Sequence, residues 1–198
     1  MTMFFLIRHA AHEGLGECLT GRLPGASLGE KGREQARKLG LRLKRECLAR
    51  MQASPRARAS ETAEAVAQAC RLSSVETASA LDEVDFGSWT GKSFGTLSQD
   101  PSWRHWNERR ADARTPGGES MRDIQERVVA HMASLASEMP SGAAALVSHA
   151  EVIRAALLHA LELSLDDWPR IEIAPASISK ISLDQQGMRV LAVNEVVA

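Results

Sequence analysis

Apolar and polar positions change rhythm several times along this chain. MFFLI (3–7) is an unbroken apolar run of strand length. In SLGEKGREQARKLGLRLKRE, Ala36, Leu39 and Leu43 share one face, and Ser27 and Glu30 are spaced as a capping box, which predicts a helix over about 29–46. RMQA (50–53) predicts a short second strand. Ser54 and Pro55 then put serine at an N-cap and proline in the first turn of a helix that Ala59, Ala63, Val66 and Cys70 continue. SVETA (74–78) carries a strand pattern of lower contrast.

Between 86 and 118 the rhythm breaks, with frequent Gly, Pro, Trp and Arg, and the pattern predicts a loop-rich insertion holding a short helix or two. Regularity returns in SMRDIQERVVAHMASLASEM, where Met121, Ile124, Val128, Met132, Leu135 and Met139 form one stripe of a long helix. AAALVS (143–148) predicts a buried strand, and AEVIRAALLHALE (150–162) a helix through Ile153, Ala156, Leu157 and Leu161. ISKISL and MRVLAV, joined by DQQG, predict a closing hairpin.

Strands that alternate with helices imply an α/β fold, a three-layer sandwich with a mainly parallel central sheet flanked by helices. The 86–118 segment would be a lid-like insertion over the carboxyl ends of the strands, within one domain spanning 1–198. Ligands in such folds sit beyond those carboxyl ends.

Charge narrows the choice of partner. The chain has 24 Lys and Arg against 25 Asp and Glu, with no basic stretch of the kind a nucleic-acid binder shows, so no nucleic-acid partner is expected. No run of 18 apolar residues exists, so no membrane partner is expected either, and MTMFFLIRH lacks the length and cleavage pattern of a signal peptide. Cys18, Cys47 and Cys70 are odd in number, widely spaced and without CxxC, which suggests neither a disulfide framework nor a zinc site. A reducing cytoplasm is the expected compartment.

The candidate chemistry lies at three strand ends. The first carries Arg8 and His9, the second Ser54, Pro55 and Arg58, and the late strand AAALVS runs into His149. Two helix N-termini, at about 55 and 150, should point to the same edge. Two arginines, two histidines and two helix N-termini make a receptor for a dianion, such as a phosphate monoester or inorganic phosphate. LDEVDFGSWTG adds Asp82, Glu83 and Asp85. A carboxyl beside a phosphate is raised in pKa by like charge and can hold a proton for a leaving oxygen.

RHA (8–10), SPRARASETA (54–63), LDEVDFGSWTG (81–91), PGGES (116–120) and SHAEVIRA (148–155) occur in this order along nearly the whole chain. As an ordered set they resemble the histidine phosphatase superfamily, also called phosphoglycerate mutase-like. The chain is more similar to the short phosphatases resembling α-ribazole phosphatase than to true mutases. The resemblance implies a hydrolase, metal-independent and without a cofactor, that works through a phosphohistidine on His9. Arg8, Arg58 and His149 would hold the phosphoryl oxygens, Ala150 would lie at the phosphate, and Glu83 would be the general acid/base. Ala10 and Ala150 stand where the family usually has glycine, and Leu15 where many members have asparagine. If either alanine site needed φ > 0, the cost would be about 1 kcal/mol. The family includes monomers and dimers, which leaves a homodimer open.

Other readings of the same residues stand beside these. His12 lies three residues after His9, a metal-like spacing, and is followed by Glu13, but no third ligand is evident and the segment reads as loop, which makes His12 a residue of the pocket rim. His105, His131 and His159 read as surface or helix histidines, and Arg127 and Arg154 as ion-pair residues. Trp103, Arg104, Trp106 and Arg109 in the insertion would either form a small local core with a charged face or recognise the rest of the substrate, by stacking or through an acidic group. Two alternative functions are phosphoglycerate mutase-like phosphoryl transfer and non-catalytic binding of a phospho-ligand.

Overall fold

β1 (Thr2–Arg8) is buried on both faces, which accounts for its unbroken apolar run. The computed structural model describes residues 1–197. After β1 come α1 (Glu30–Leu43), β2 (Arg50–Ala53), α2 (Ala57–Cys70) and β3 (Glu76–Thr77). The insertion holds α3 (Phe94–Leu97) and α4 (Pro101–Glu108). Then follow α5 (Met121–Glu138), β4 (Gly142–Ser148), α6 (Ala150–Ala160), β5 (Ser177–Asp184) and β6 (Gly187–Val196).

The six strands form one sheet in the order β3-β2-β4-β1-β5-β6. The first four are mutually parallel, and β5 and β6 add an antiparallel hairpin beside β1. Period-two alternation sends neighbouring side chains to opposite layers. Phe4, Leu6, Ala144 and Leu146 pack with Ile124, Val128 and Met132 of α5 and with α6, whereas Phe5, Ile7, Ala145 and Val147 pack with Leu39 of α1 and Ala63 and Val66 of α2. The result is the expected α/β sandwich with a mainly parallel sheet. No helix among the described residues is long and apolar enough to cross a membrane.

Three local expectations need correction. Ser27 and Glu30 form no capping box: Gly29 is the N-cap, with no side-chain cap, and α1 ends at Leu43. Nor does Ser54 cap α2. The cap position is Arg56, and the Ser54 hydroxyl is engaged elsewhere. The third strand shrinks to two residues. In addition, a 3-10 turn covers Leu165–Arg170, where LDDWPR has no usable period to signal it. The long helix does start as a capping box, with Ser120 and Asp123 bonding reciprocally.

Candidate active site

Because β2, β4 and β1 are adjacent and parallel, their carboxyl ends lie side by side. The His9 N–H donates to the Ser148 carbonyl at 3.0 Å, and the Ser54 N–H to the Val147 carbonyl at 2.9 Å. The ladder thus fixes His9, Ser54 and His149 one step beyond three neighbouring strands. α1 approaches so closely that a Cβ on Gly32 would stand 1.9 Å from the Ala11 carbonyl oxygen, so only glycine fits there. The chain after the histidine is held further by Ala10 N–H to Thr62 Oγ1 (3.0 Å) and Ala11 N–H to Gln35 Oε1 (2.9 Å).

His9 is buried, and its Nδ1 lies 2.8 Å from the Ala10 carbonyl. A carbonyl only accepts, so Nδ1 carries the proton and Nε2 the lone pair. Arg58 Nε donates to that Nε2 at 3.2 Å. Burial, then the Arg58 charge, holds the imidazole well below the ordinary histidine pKa, so the ring is neutral.

His149 is fully buried, its ring centroid 5.2 Å from that of His9. Its Nδ1 faces Arg58 Nη2 at 3.2 Å, and a guanidinium only donates. Nε2 therefore carries the proton and donates to Ser54 Oγ at 2.8 Å. The Ser54 hydroxyl in turn reaches Asp82 Oδ1 at 3.3 Å, and the same carboxylate oxygen accepts the Glu83 N–H at 2.8 Å. Burial, the neighbouring His9 and Arg58 hold His149 well below its ordinary pKa.

Glu83 completes the group. Its Oε2 is 3.4 Å from His149 Nδ1 and 3.8 Å from Arg58 Nη2, and its Oε1 accepts the Val84 N–H at 2.9 Å. Burial pushes this carboxyl up to about 7, against the pull of Arg58. The backbone that carries it is braced by Arg22, which donates to the Glu83 carbonyl at 2.8 Å, and by Arg127, which donates to the Ala80 and Asp82 carbonyls at 2.6 Å each. Arg127 also pairs with Glu119, as an ion-pair residue should.

The guanidiniums of Arg8 and Arg58 keep free capacity. Arg8 Nη1 donates to the Ile173 carbonyl and Arg58 Nη2 to the Gly21 carbonyl, yet Arg8 Nε and Arg58 Nη1 are buried without a partner. Unpaired N–H groups on two cations beside a neutral imidazole make a site for an oxyanion.

Arg8, His9, Arg58 and Glu83 line a cleft of about 460 Å³ that Ala150 also reaches, whereas His149 is fully buried and not among its lining residues. Neither Ala10 nor Ala150 has positive φ, so neither position requires glycine for its backbone. His12 lies on the cleft wall, its ring 5.6 Å from His9. Of the four insertion residues, Trp103 and Trp106 line the cleft. Arg104 and Arg109 do not. Both are exposed, and Arg109 pairs with Asp112 because α4 turns that side outward. Arg110 takes the inward place, buried between Trp106 and Trp168 and paired with Glu151. Four arginines in the insertion gave no signal for which one faces in, and Trp168 lies far away in sequence.

A family model described as histidine phosphatase superfamily (branch 1) matches residues 4–196. The probable phosphoglycerate mutase GpmB of Salmonella choleraesuis (strain SC-B67) is 32% identical over 190 residues, covering 93% of this chain and 86% of that protein. Among solved structures, Bacillus stearothermophilus YhfR is 26% identical, with TM-score 0.92 over 99% of this chain and 98% of its own. The mycobacterial glucosyl-3-phosphoglycerate phosphatase in complex with VO3 is 26% identical, with TM-score 0.86 over 98% of each chain.

Proposed function

The chain belongs to the histidine phosphatase superfamily (branch 1) and is a phosphatase of that family, and from this premise we propose that it hydrolyses a small phosphate monoester through a phosphohistidine on His9, without a metal ion. The observation that carries the reading is the opposite tuning of two groups in one cleft. His9 is held neutral with Nε2 as its lone-pair nitrogen, while Glu83 is pushed up to about 7 and keeps a proton near neutrality.

In the first step His9 Nε2 attacks phosphorus in line as the bond to the leaving oxygen breaks. Glu83 gives its proton to that oxygen, and the alcohol departs. Arg58 exchanges its bond to Nε2 for the phosphoryl group, and with Arg8 it meets the charge on the equatorial oxygens. The α6 N-terminus at Ala150 adds backbone N–H groups to the same end. In the second step the Glu83 carboxylate takes a proton from water as the water oxygen bonds to phosphorus. The P–N bond breaks, inorganic phosphate leaves, and both groups return to their starting state. The arginines supply the positive charge that a metal would otherwise bring.

His149 supports the transfer as a hydrogen-bonding partner. A phosphate monoanion that passes its proton to Nδ1 becomes a dianion to which the ring then donates, and the Ser54–Asp82 chain behind Nε2 stabilises the charged ring that results.

The test is p-nitrophenyl phosphate hydrolysis by wild type and His9→Ala, each with and without EDTA. The reading expects wild-type activity that EDTA leaves intact and that His9→Ala abolishes. Activity lost to the chelator, or retained by His9→Ala, would overturn it.

A further inference from the structure

Much of the cleft wall is carbon. Leu19, Phe86, Trp103 and Trp106 line it, and Leu15 and Phe94 extend the lining to the solvent, at 38% and 41% exposure. The Trp103 and Trp106 rings stack with centroids 5.4 Å apart, and Trp89 packs edge-on behind them at 5.2 and 6.0 Å. These rings give the wall an aromatic surface. An apolar group entering it exchanges water for carbon contacts, whereas an ionised one loses hydration against a mostly carbon surface.

The guanidinium stacked on this wall is already committed. Arg110 is sandwiched at 3.9 Å from the Trp106 ring and 3.8 Å from the Trp168 ring, donates to Asn107 Oδ1 at 2.9 Å, and is ion-paired with Glu151. Glu151 also accepts from Arg154 Nη1 at 2.6 Å. Burial alone would push the Glu151 carboxyl up, but Arg110 and Arg154 outweigh it and keep the group ionised. Since Glu151 itself lines the cleft, a second anion on the substrate would meet a carboxylate and a cation whose charge is answered. Two buried N–H donors there lack partners, Arg110 Nε and Trp106 Nε1. A neutral hydroxyl, ether or carbonyl oxygen can pair with them without bringing a second negative charge beside Glu151.

Resting on the phosphatase reading above, we infer that the alcohol released from the ester is uncharged and apolar or aromatic, and that a carboxylate-bearing alcohol is disfavoured. This separates the chain from the phosphoglycerate chemistry for which its curated relatives are named. It also chooses stacking over an acidic group as the way the insertion recognises substrate.

The experiment compares kcat/KM for 2-phenylethyl phosphate and 3-phosphoglycerate, two esters of primary alcohols with similar intrinsic reactivity, by following loss of ester. Wild type is expected to favour 2-phenylethyl phosphate by at least about tenfold. Trp103→Ala should reduce kcat/KM for that ester alone. Glu151→Gln, which releases Arg110, should raise kcat/KM for 3-phosphoglycerate by about threefold or more. Equal use of both esters, or a preference for 3-phosphoglycerate, overturns the inference and leaves the phosphatase reading standing. Loss of neither ester, with no phosphohistidine trapped from either, takes down both.

Discussion

Replacing Glu83 by glutamine should make the protein more stable at alkaline pH while disabling it. Gln keeps the shape of the side chain and an oxygen to accept the Val84 N–H, but it never ionises. In the wild type the carboxyl moves from an ordinary 4.5 to about 7 on folding. At about 1.4 kcal/mol per pH unit this amounts to about 3 kcal/mol. The sign follows from proton affinity. The folded state holds this proton more tightly than the unfolded one, so the contribution is intact below pH 4.5, declines as pH rises, and is gone above about 7. Glu83→Gln escapes that loss. Urea unfolding of both proteins at pH 4.5, 6, 7 and 8 should give a gap that opens by up to about 3 kcal/mol, or about 6–12 °C in melting temperature for a chain of this size. In the same preparation kcat should fall about 10²–10⁴-fold, the usual worth of a positioned proton donor. A gap that stays constant with pH would refute the claim that burial keeps Glu83 protonated, whatever happened to activity.

Further outcomes follow from the same geometry. For an alkyl ester, whose leaving oxygen needs a proton, kcat/KM should fall about tenfold per pH unit above about 7 as Glu83 ionises. p-Nitrophenyl phosphate should show a shallower decline, and equal slopes would argue against Glu83 as the acid. Ser54→Ala strands the His149 Nε2 proton in a buried site, which costs about 1–3 kcal/mol, and it should lower kcat more than it raises KM; unchanged kinetics would remove Ser54 from the site. Gly32→Ala drives a methyl into the Ala11 carbonyl and should cost about 1–3 kcal/mol along with activity, measured by thermal melting and initial rates. Ala10→Gly should gain no activity and lose about 0.5–1 kcal/mol, since the backbone there does not need glycine.

Much of this site could be read from the sequence, because its residues are tied to the ends of regular elements. Arg8, His9 and His149 follow apolar runs whose strand character is plain, and the parallel order of β1, β4 and β2 makes their ends converge. Glu83 was the harder assignment, as Asp82 and Asp85 stand beside it with similar local chemistry. Glu83 is distinguished by facing the cleft beside His149 and Arg58 while Asp82 turns to Ser54, Arg22 and Arg56, and that orientation is a tertiary property. A serine before Pro55 suits a helix cap, yet the Ser54 hydroxyl serves a histidine 95 residues away. A long-range partner outcompeted the local rule. The insertion was least legible. Trp106, Arg110, Glu151 and Trp168 form one cluster from three separate segments, and short helices like α3 and α4 have too few turns to reveal an inward face.

The strand order also sets when this enzyme can first exist. β1 and β2 are made early, but they do not touch; β4, about 90 residues later, lies between them and pairs with both. Until that central strand inserts, the N-terminal segments bearing His9 and Arg58 share no sheet, and the second histidine has not been placed. Pairing across such sequence separations closes long loops and is slow relative to helix formation. A nascent or partly refolded chain therefore has helices before it has a site, and recovery of phosphatase activity in a refolding experiment clocks the docking of β4 rather than the return of secondary structure.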